Sequence, residues 1–322
     1  MMDKEQFERK RQWAGELKPS MKRRRVRHDY QRRCVYMITL AVEGRRQLLG
    51  SVTGDGETVP AVFTPSPLGE EVVKALHSIP EYYPQVAIWQ VQLMPDHLHV
   101  ILFVKERLPV HLGIVINGFK VGCNRAYRSM MGEADGLMLW EDGYNDRILE
   151  HEGQLQSMKR YLSDNPRRLA IKRHHPDLFT VQRGVQAGGI NFEALGNLFL
   201  LDVPLRVAVK CSRKLTEQEI ADRCRYFLSL ARDGAVLVSP AISPGEKKVM
   251  RTAYNNGYPT IILLENGFAP LAKPGGQRFD ACAAGRLLLL APWPHHNDDR
   301  SITRDQCNTL NDMAAAIASQ ST

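Results

Sequence analysis

Two apolar runs joined by a very short polar link constrain the fold of this chain more than any other feature. Residues 86–93 and 97–104 are rich in side chains that favour β-strands, and only Met94-Pro95-Asp96 separates them. A link of this length that contains proline and aspartate predicts a tight hairpin. The two strands are therefore expected to be antiparallel neighbours in one sheet.

The segments around this hairpin extend the pattern into an α+β fold. Strand-like runs at residues 34–42 and 59–63 precede a helical pattern at residues 67–77, and residues 110–130 again place apolar side chains at helical spacing. A helix-compatible segment follows at residues 153–164, and Asn165-Pro166 is expected to end it. This order of strands and helices predicts a ferredoxin-like antiparallel sheet with helices packed on it.

Strands and helices alternate in the C-terminal part of the chain. Strand-like runs recur at residues 205–209, 235–238, 260–264 and 286–290, with helix-like stretches at residues 216–231 and 245–255. Such alternation predicts a parallel α/β sheet, and hence a second domain. We therefore predict a basic arm at residues 1–30, a first domain at residues 31–195 and an α/β domain at residues 200–322.

Two clusters of basic side chains stand out in the sequence. The chain carries 43 Lys and Arg against 35 Asp and Glu, a formal net charge of +8. Clustered cations attract phosphate backbones by releasing condensed counterions, although a solvated charged surface is the alternative for either cluster alone. The candidate DNA contacts are Arg23, Arg24, Arg25 and Arg27 in the arm, and Lys159, Arg160, Arg167 and Arg168 farther along.

His97 and His99 open the second strand of the predicted hairpin. Residues two apart on a strand point to the same face, so both imidazoles project side by side. A pair of neutral imidazoles is half of a site for a divalent cation, although histidines in this arrangement can also be hydrogen-bonded or simply exposed. A metal site therefore needs a third ligand.

Tyr161 and Asn165 lie four residues apart and share one face of the predicted helix. An amide oxygen from Asn165 can complete a set of two imidazoles and one oxygen, and Tyr161 would stand beside the same metal as a nucleophile. A packing tyrosine followed by a helix-ending Asn-Pro pair is the alternative. Tyr127 and Tyr144 could compete for the nucleophilic role, but neither has a comparable partner four residues on.

These two motifs resemble those of a known family. The segment Met-Pro-Asp-His-Leu-His-Val-Ile at residues 94–101 resembles the HUH motif of single-tyrosine transposases. The segments Trp-Glu-Asp-Gly-Tyr-Asn-Asp-Arg at residues 140–147 and Tyr-Leu-Ser-Asp-Asn-Pro-Arg at residues 161–167 resemble the tyrosine region of the REP-associated tyrosine transposase group. The resemblance covers residues 28–175 and does not include the C-terminal part.

The resemblance implies a mechanism. Mg²⁺ or Mn²⁺ held by His97, His99 and Asn165 would polarise a phosphate of single-stranded DNA, and Tyr161 would attack it to leave a 5′-phosphotyrosine and a free 3′-hydroxyl. A hairpin-containing single strand is the implied partner, bound by a monomer or a homodimer. An ordinary tyrosine has a pKa of about 10, so removal of the phenolic proton needs help.

The C-terminal part is loosely similar to the Rossmann-like domain of DNA-processing proteins, over residues 200–295. Ser243 and Pro244 can begin a helix there, and a helix N-terminus can bind an anion. The motif GxGxxG is absent from the sequence, and we assign no cofactor-binding residue. Two rival functions remain: a catalytically silent protein that binds hairpin DNA, and a nucleotide-binding protein that acts through its C-terminal sheet.

The N-terminal residues, the apolar segments and the cysteine spacing indicate a cellular compartment. The N-terminal residues are charged from residue 3 onward, the sequence has no long apolar segment, and its six cysteines form no CxxC pair. We therefore expect a cytoplasmic protein associated with the nucleoid, with free thiols.

Overall fold

The computed structural model describes residue 25 and residues 28–131, 138–298 and 301–319. The chain forms two compact units, the first ending at Ala170 and the second beginning at Ile171. Most of the predicted basic arm lies outside the described residues, including Arg23, Arg24 and Arg27. No helix among the described residues is long and apolar enough to cross a membrane.

The first unit combines an antiparallel sheet with helices, which agrees with the predicted α+β class. Its strands are paired in the order β4-β5-β1-β6, and every neighbouring pair is antiparallel. Strands β2 and β3 form a separate hairpin. The elements are β1 (Cys34–Ala41), β2 (Gly50–Thr53), β3 (Val62–Pro65), α1 (Pro67–His77), α2 (Ile79–Tyr82), β4 (Val86–Met94), β5 (His97–Val104), α3 (Leu112–Met131), β6 (Asn145–Leu149) and α4 (Gln154–His174).

The β4–β5 hairpin is the tight one that the sequence predicts. Met94 pairs with His97, so only Pro95 and Asp96 form the turn. Strand β6 is not among the strands that the sequence predicts. It pairs with β1, where Thr39 lies opposite Asn145 and Met37 opposite Arg147.

The four-stranded sheet has an apolar face and a polar face. Alternate side chains of β1 and β5 are fully buried and pack with side chains of α1 and α3, and each such burial stabilises the fold by roughly 1.5–3 kcal/mol. The intervening residues face the other way and include Thr39, His97 and His99. The buried side chains are Tyr36, Ile38, Leu40, Leu98, Val100, Leu102 and Val104.

Helix α4 continues through Asn165-Pro166 to His174, so the prediction that this pair ends the helix is wrong. Proline cannot donate a hydrogen bond to the carbonyl of Leu162, which removes one bond of the helix. Leu162 before it and Ala170 after it are both buried, with 0% and 2% of their surfaces exposed. Packing on both sides of the proline therefore holds the helix together across the missing bond.

The second unit contains a six-stranded sheet in the order β7-β8-β12-β11-β10-β9. Strands β9 to β12 are parallel to one another, and β8 is antiparallel to β12. The elements are β7 (Gln182–Ala187), β8 (Ile190–Gly196), β9 (Arg206–Ala208), α5 (Glu217–Arg232), β10 (Val236–Ser239), α6 (Pro244–Asn255), β11 (Thr260–Leu263), α7 (Gln277–Ala283), β12 (Leu287–Ala291) and α8 (Arg304–Ser319).

Strands β7 and β8 belong to this second sheet, whereas the predicted boundary near residue 200 placed them in the first domain. The reason is that β8 pairs with β12, which lies much later in the chain. No local pattern signals such a pairing. Helices cover both faces of the sheet: Val236, Val238 and Leu288 pack with Leu310 of α8, while Leu237 packs on the opposite face with the side chains of α5 and α6.

The backbone donors at the N-terminus of α6 form hydrogen bonds with side chains of the second unit. Ser243 caps the helix as expected, because its Oγ accepts a hydrogen bond from the Glu246 backbone N–H at 3.2 Å. One carboxylate oxygen of Glu246 accepts from the backbone N–H groups of Ile242 and Ser243, and the other from that of Cys211. The donors that an external phosphate would use are thus already paired with a carboxylate that is only 2% exposed.

We expect Glu246→Ala to destabilise the second unit by about 2–4 kcal/mol, because three backbone donors lose a charged acceptor in a buried position. Urea unfolding followed by circular dichroism measures the change. Glu219 is a matched control, since it occupies the same position in the capping box of α5 but is exposed. A loss for Glu246→Ala no larger than that for Glu219→Ala would contradict this account of the α6 N-terminus.

Candidate active site on the polar face of the first sheet

The two histidines of β5 lie side by side on the polar face. Their ring centroids are 4.7 Å apart, and the ring planes are inclined at 79°. His99 is only 6% exposed, whereas the side chain of His97 is 19% exposed at the end of the hairpin. The strand geometry therefore brings two imidazoles together at one end of the sheet.

Each imidazole is anchored through its Nδ1 atom. His99 Nδ1 lies 2.8 Å from Thr39 Oγ1 on the neighbouring strand, and His97 Nδ1 lies 2.6 Å from Asp96 Oδ1 in the turn. When Nδ1–H donates to these oxygens, the lone pair of each ring is on Nε2. Within the described residues, neither Nε2 forms a hydrogen bond, so both can bind a metal ion or a substrate.

The environment keeps His99 neutral. Burial, together with the positive charge that His97 can carry, lowers the pKa of His99 to about 3. Burial raises the pKa of Asp96, but the hydrogen bond from His97 and the charges of His97 and Arg45 outweigh it and leave the pKa below its usual value. Asp96 is therefore an ionised acceptor, and His99 presents an unprotonated nitrogen at neutral pH.

Helix α4 places Tyr161 beside this pair. The ring centroid of Tyr161 is 6.0 Å from that of His99, and the tyrosine is 38% exposed. Gln90 of β4 ties the helix to the sheet, because its Nε2 donates to the Lys159 carbonyl and to Ser163 Oγ, both at 3.0 Å. The phenol is thus held next to the histidines and remains accessible to a large substrate.

The other tyrosines considered for this role are buried. Tyr127 is 1% exposed and receives a hydrogen bond from Arg46 at its hydroxyl, and Tyr144 is 9% exposed. Both belong to the apolar core of the first unit. Neither hydroxyl can reach a phosphate in solution without unpacking that core.

Asn165 lies one helical turn beyond Tyr161 and carries a buried polar atom without a partner. The residue is 9% exposed, and its Nδ2 forms no hydrogen bond among the described residues. A buried amide group in this state is costly unless a ligand satisfies it. Since an amide can present oxygen in place of nitrogen by a half-turn of the side chain, Asn165 can offer an oxygen ligand.

The donor atoms fit a hard or borderline divalent cation. Two imidazole nitrogens and one amide oxygen are ligands that suit Mn²⁺, and Mg²⁺ accepts such a partial set with water in the remaining positions. The described part of the chain contains no cluster of three His, Cys, Asp or Glu side chains. An ion bound at this site would therefore have only two ligands of those types.

The basic residues have differing environments. Arg25 and Arg32 both pair with Glu150, at 2.7 and 2.5 Å. Arg160 is exposed next to Tyr161, and Lys159 is half-buried.

Arg167 and Arg168 both pair with Asp164. Arg168 is only 8% exposed, and its guanidinium lies 5.8 Å from the ring centroid of Tyr161. Arg168 thus packs against the tyrosine, and its contact with DNA stays a prediction.

Three further residues of the site were not identified from the sequence. Thr39 reaches His99 only through the pairing of β1 with β5, and Gln90 reaches α4 only through tertiary packing. Arg147 of β6 lies opposite Met37, on the face that carries the histidines, and is exposed. Asp96 is different, because its position next to His97 in a two-residue turn was visible in the sequence.

Comparisons with known proteins give distant similarities. No protein-family model matches the chain. An uncharacterized protein of Haemophilus influenzae is 25% identical over 163 residues, covering 44% of this chain and 86% of that protein. The structure of a REP-associated tyrosine transposase bound to a REP hairpin has a TM-score of 0.34 at 15% identity, covering 46% of this chain and 75% of the other.

The DNA processing protein A of Helicobacter pylori, described for its single-stranded DNA binding mode, gives a TM-score of 0.33 at 18% identity, covering 43% of this chain and 65% of the other. The chain is thus weakly similar to a transposase and to a protein that binds single-stranded DNA. Similarity at this level does not assign a fold or an activity, so the function is inferred from the site itself.

Proposed function

We propose that the first unit cleaves single-stranded DNA in a metal-dependent reaction and transfers the cut strand through a 5′-phosphotyrosine on Tyr161. The observation that carries this proposal is the exposed phenol of Tyr161, 6.0 Å from the His99 ring, beside two imidazoles anchored through Nδ1. The order of strands β6-β1-β5-β4 supports a ferredoxin-like HUH assignment. The second unit would be an α/β Rossmann-like accessory domain.

The bond changes of the reaction follow from the nucleophile. Tyr161 Oη forms a bond to the phosphorus of a phosphodiester while the bond from phosphorus to the 3′-oxygen breaks. The phenol loses its proton and the departing 3′-oxygen gains one, so charge and atoms balance. The 3′-hydroxyl of another strand can reverse the step, and the energy kept in the phosphotyrosine bond makes a nucleotide cofactor unnecessary.

His97, His99 and Asn165 are the residues that would hold Mg²⁺ or Mn²⁺. When bound, such an ion supplies a positive charge that polarises the phosphate and favours the ionised phenol. The chain itself orients the two imidazoles through Thr39 and Asp96 and holds Tyr161 against His99. These contacts hold the side chains in position before the substrate binds, so little rearrangement is needed for the reaction.

Cations around the tyrosine would bind the DNA backbone. Arg160 and Arg147 are exposed on or beside the polar face, and Lys159 lies two residues before the nucleophile. Side chains of this kind fix the position of a strand through its phosphates and do not read its sequence. The preference for a hairpin-containing strand rests on the family resemblance alone.

The proposal is tested by incubating the protein with labelled single-stranded hairpin DNAs, in Mn²⁺ or in EDTA, and separating the products under denaturing conditions. We expect a labelled protein band that survives denaturation and requires the metal. Binding of the DNA without any such band would instead support a catalytically silent DNA-binding protein.

The anchors of the two histidines should control metal affinity. We expect Thr39→Val and Asp96→Ala each to weaken Mn²⁺ binding by roughly 10–100-fold, because the rings lose the partner that fixes their orientation. Isothermal titration calorimetry measures the affinity. Thr64→Val, at an exposed threonine on β3, is the matched control for Thr39→Val. Equal Mn²⁺ affinity in Thr39→Val and Thr64→Val proteins would refute a positioning role for Thr39.

A further inference from the structure

Two aromatic rings form an exposed platform on the polar face of the first sheet. The ring centroids of Trp89 on β4 and Phe103 on β5 are 4.7 Å apart, with their planes inclined at 35°. Trp89 is 40% exposed, and its ring offers a large flat surface for packing against a ligand. We call this pair the aromatic platform.

A β-bulge aims Trp89 at this face. The register of β4 against β5 shifts between Ile88 and Gln90, so Trp89 is the extra residue without a partner in the pairing. Ile88 and Val91 pack against the apolar core, whereas Gln90 bonds α4 on the polar face. The bulge therefore puts two successive side chains, Trp89 and Gln90, on the polar face. Bulges that redirect a side chain in this way are common beside functional sites.

Two cations flank the platform. The Lys159 ammonium lies 5.8 Å from the centroid of the Trp89 ring, and the Arg33 guanidinium lies 5.3 Å from that of Phe103. Neither cation forms an ion pair with a carboxylate among residues 28–131, 138–298 and 301–319. Their charges are therefore available to an anionic ligand, and the exposed part of Trp89 is available to an aromatic one.

The platform shares its sheet face with the candidate active site. Phe103 is four residues from His99 on the same strand, which places it about 13 Å along β5. Lys159 precedes Tyr161 by two residues on α4. A single DNA strand running across the face could thus contact both places at once.

We infer that the aromatic platform binds an unpaired nucleobase of the substrate strand, which stacks on Trp89 while Arg33 and Lys159 contact the phosphates on either side of it. Aromatic rings combined with cations are how proteins commonly hold single strands without reading sequence. This inference rests on the proposed function, because it assigns a second contact on the strand that Tyr161 cuts. A duplex cannot use the platform, because its bases are stacked on one another.

The test measures DNA affinity in proteins that carry Tyr161→Phe, so that no covalent step intervenes. Fluorescence anisotropy of a labelled single strand gives the dissociation constant for Trp89→Ala, Trp89→Phe and the parent. We expect Trp89→Ala to weaken binding by roughly 5- to 100-fold, and Trp89→Phe to restore most of the loss because it keeps a ring. Tyr82→Ala, which removes an aromatic ring that is 76% exposed on α2, should leave the affinity unchanged.

The cations are tested by the salt dependence of the same affinity. Arg33→Gln and Lys159→Gln should each reduce the slope of log affinity against log salt by about 0.7, the value for one phosphate contact on a single strand. Fully paired duplex should bind the Trp89→Ala and parent proteins equally. Melting temperatures matched to the parent would show that the variants fold.

The outcomes separate this inference from the proposed function. If Trp89→Ala binds single strands as tightly as the parent, the platform is not a base-binding site. That result does not contradict the proposed function, which is tested separately by adduct formation in protein that retains Tyr161. If Trp89→Phe binds as weakly as Trp89→Ala, stacking is not the interaction. If the unmodified chain neither binds single strands nor forms an adduct, the proposed function itself is wrong.

Discussion

Tyr161→Phe is expected to abolish the covalent protein–DNA adduct and strand cleavage while leaving DNA affinity within about twofold of the parent. Phenylalanine keeps the ring that packs near His99 and Arg168 and removes only the hydroxyl. Because Tyr161 is 38% exposed, the substitution should not disturb the fold. Denaturing gels with labelled DNA measure the adduct, and anisotropy measures the binding.

Tyr82→Phe is the matched control for this substitution. Tyr82 is also on a helix of the first unit and is 76% exposed, so losing its hydroxyl should change neither adduct nor affinity. An adduct that persists in the Tyr161→Phe protein would show that another residue is the nucleophile. Loss of DNA binding together with the adduct would show that Tyr161 holds the strand instead of attacking it.

His97→Ala and His99→Ala are expected to have the second large effect. Each removes one of the two imidazoles whose rings lie 4.7 Å apart, so Mn²⁺ affinity should fall by more than the 10–100-fold expected for the loss of an outer partner. Adduct formation at a limiting Mn²⁺ concentration should fall with it. DNA affinity measured in EDTA should stay at the parent value, because in the proposed mechanism the imidazoles would contact the strand only through the metal.

His77→Ala is the control for these two variants, since His77 is exposed at the end of α1, on a helix that packs on the opposite face of the sheet. His99 is buried, so the Tm of its variant must also be measured. A high Mn²⁺ concentration should partly restore adduct formation by the His97→Ala protein, because mass action offsets a weaker affinity. Full adduct formation by both variants in EDTA would refute the metal-dependent mechanism.

Much of the site geometry follows from local periodicity. The strand alternation that puts His97 and His99 on one face depends only on the two-residue repeat of β5, and the shared helix face of Tyr161 and Asn165 depends only on their spacing. The Pro95-Asp96 turn is equally local. These features could be predicted because each is set by a few consecutive residues.

The rest depends on contacts between segments that are distant in the sequence. Thr39 meets His99 through strand pairing, and β8 joins the second sheet through β12. The bulge at Trp89 shifts the alternation of β4 by one residue, which composition does not reveal. Helix α4 continues across Pro166 because of tertiary packing, so local propensity predicts the wrong C-terminal end for this helix.

The identity of the modified residue tests the central claim most directly. After reaction with a short single strand in Mn²⁺, the protein is digested with nuclease and trypsin, and the peptides are analysed by mass spectrometry. The tryptic peptide of residues 161–167 begins at Tyr161, because Arg160 precedes it and Arg167 ends it. The proposed mechanism predicts a nucleotide bound through a phosphate to Tyr161 in this peptide. A nucleotide on any other tyrosine, or an unmodified Tyr161 in protein that has cut the DNA, would contradict it.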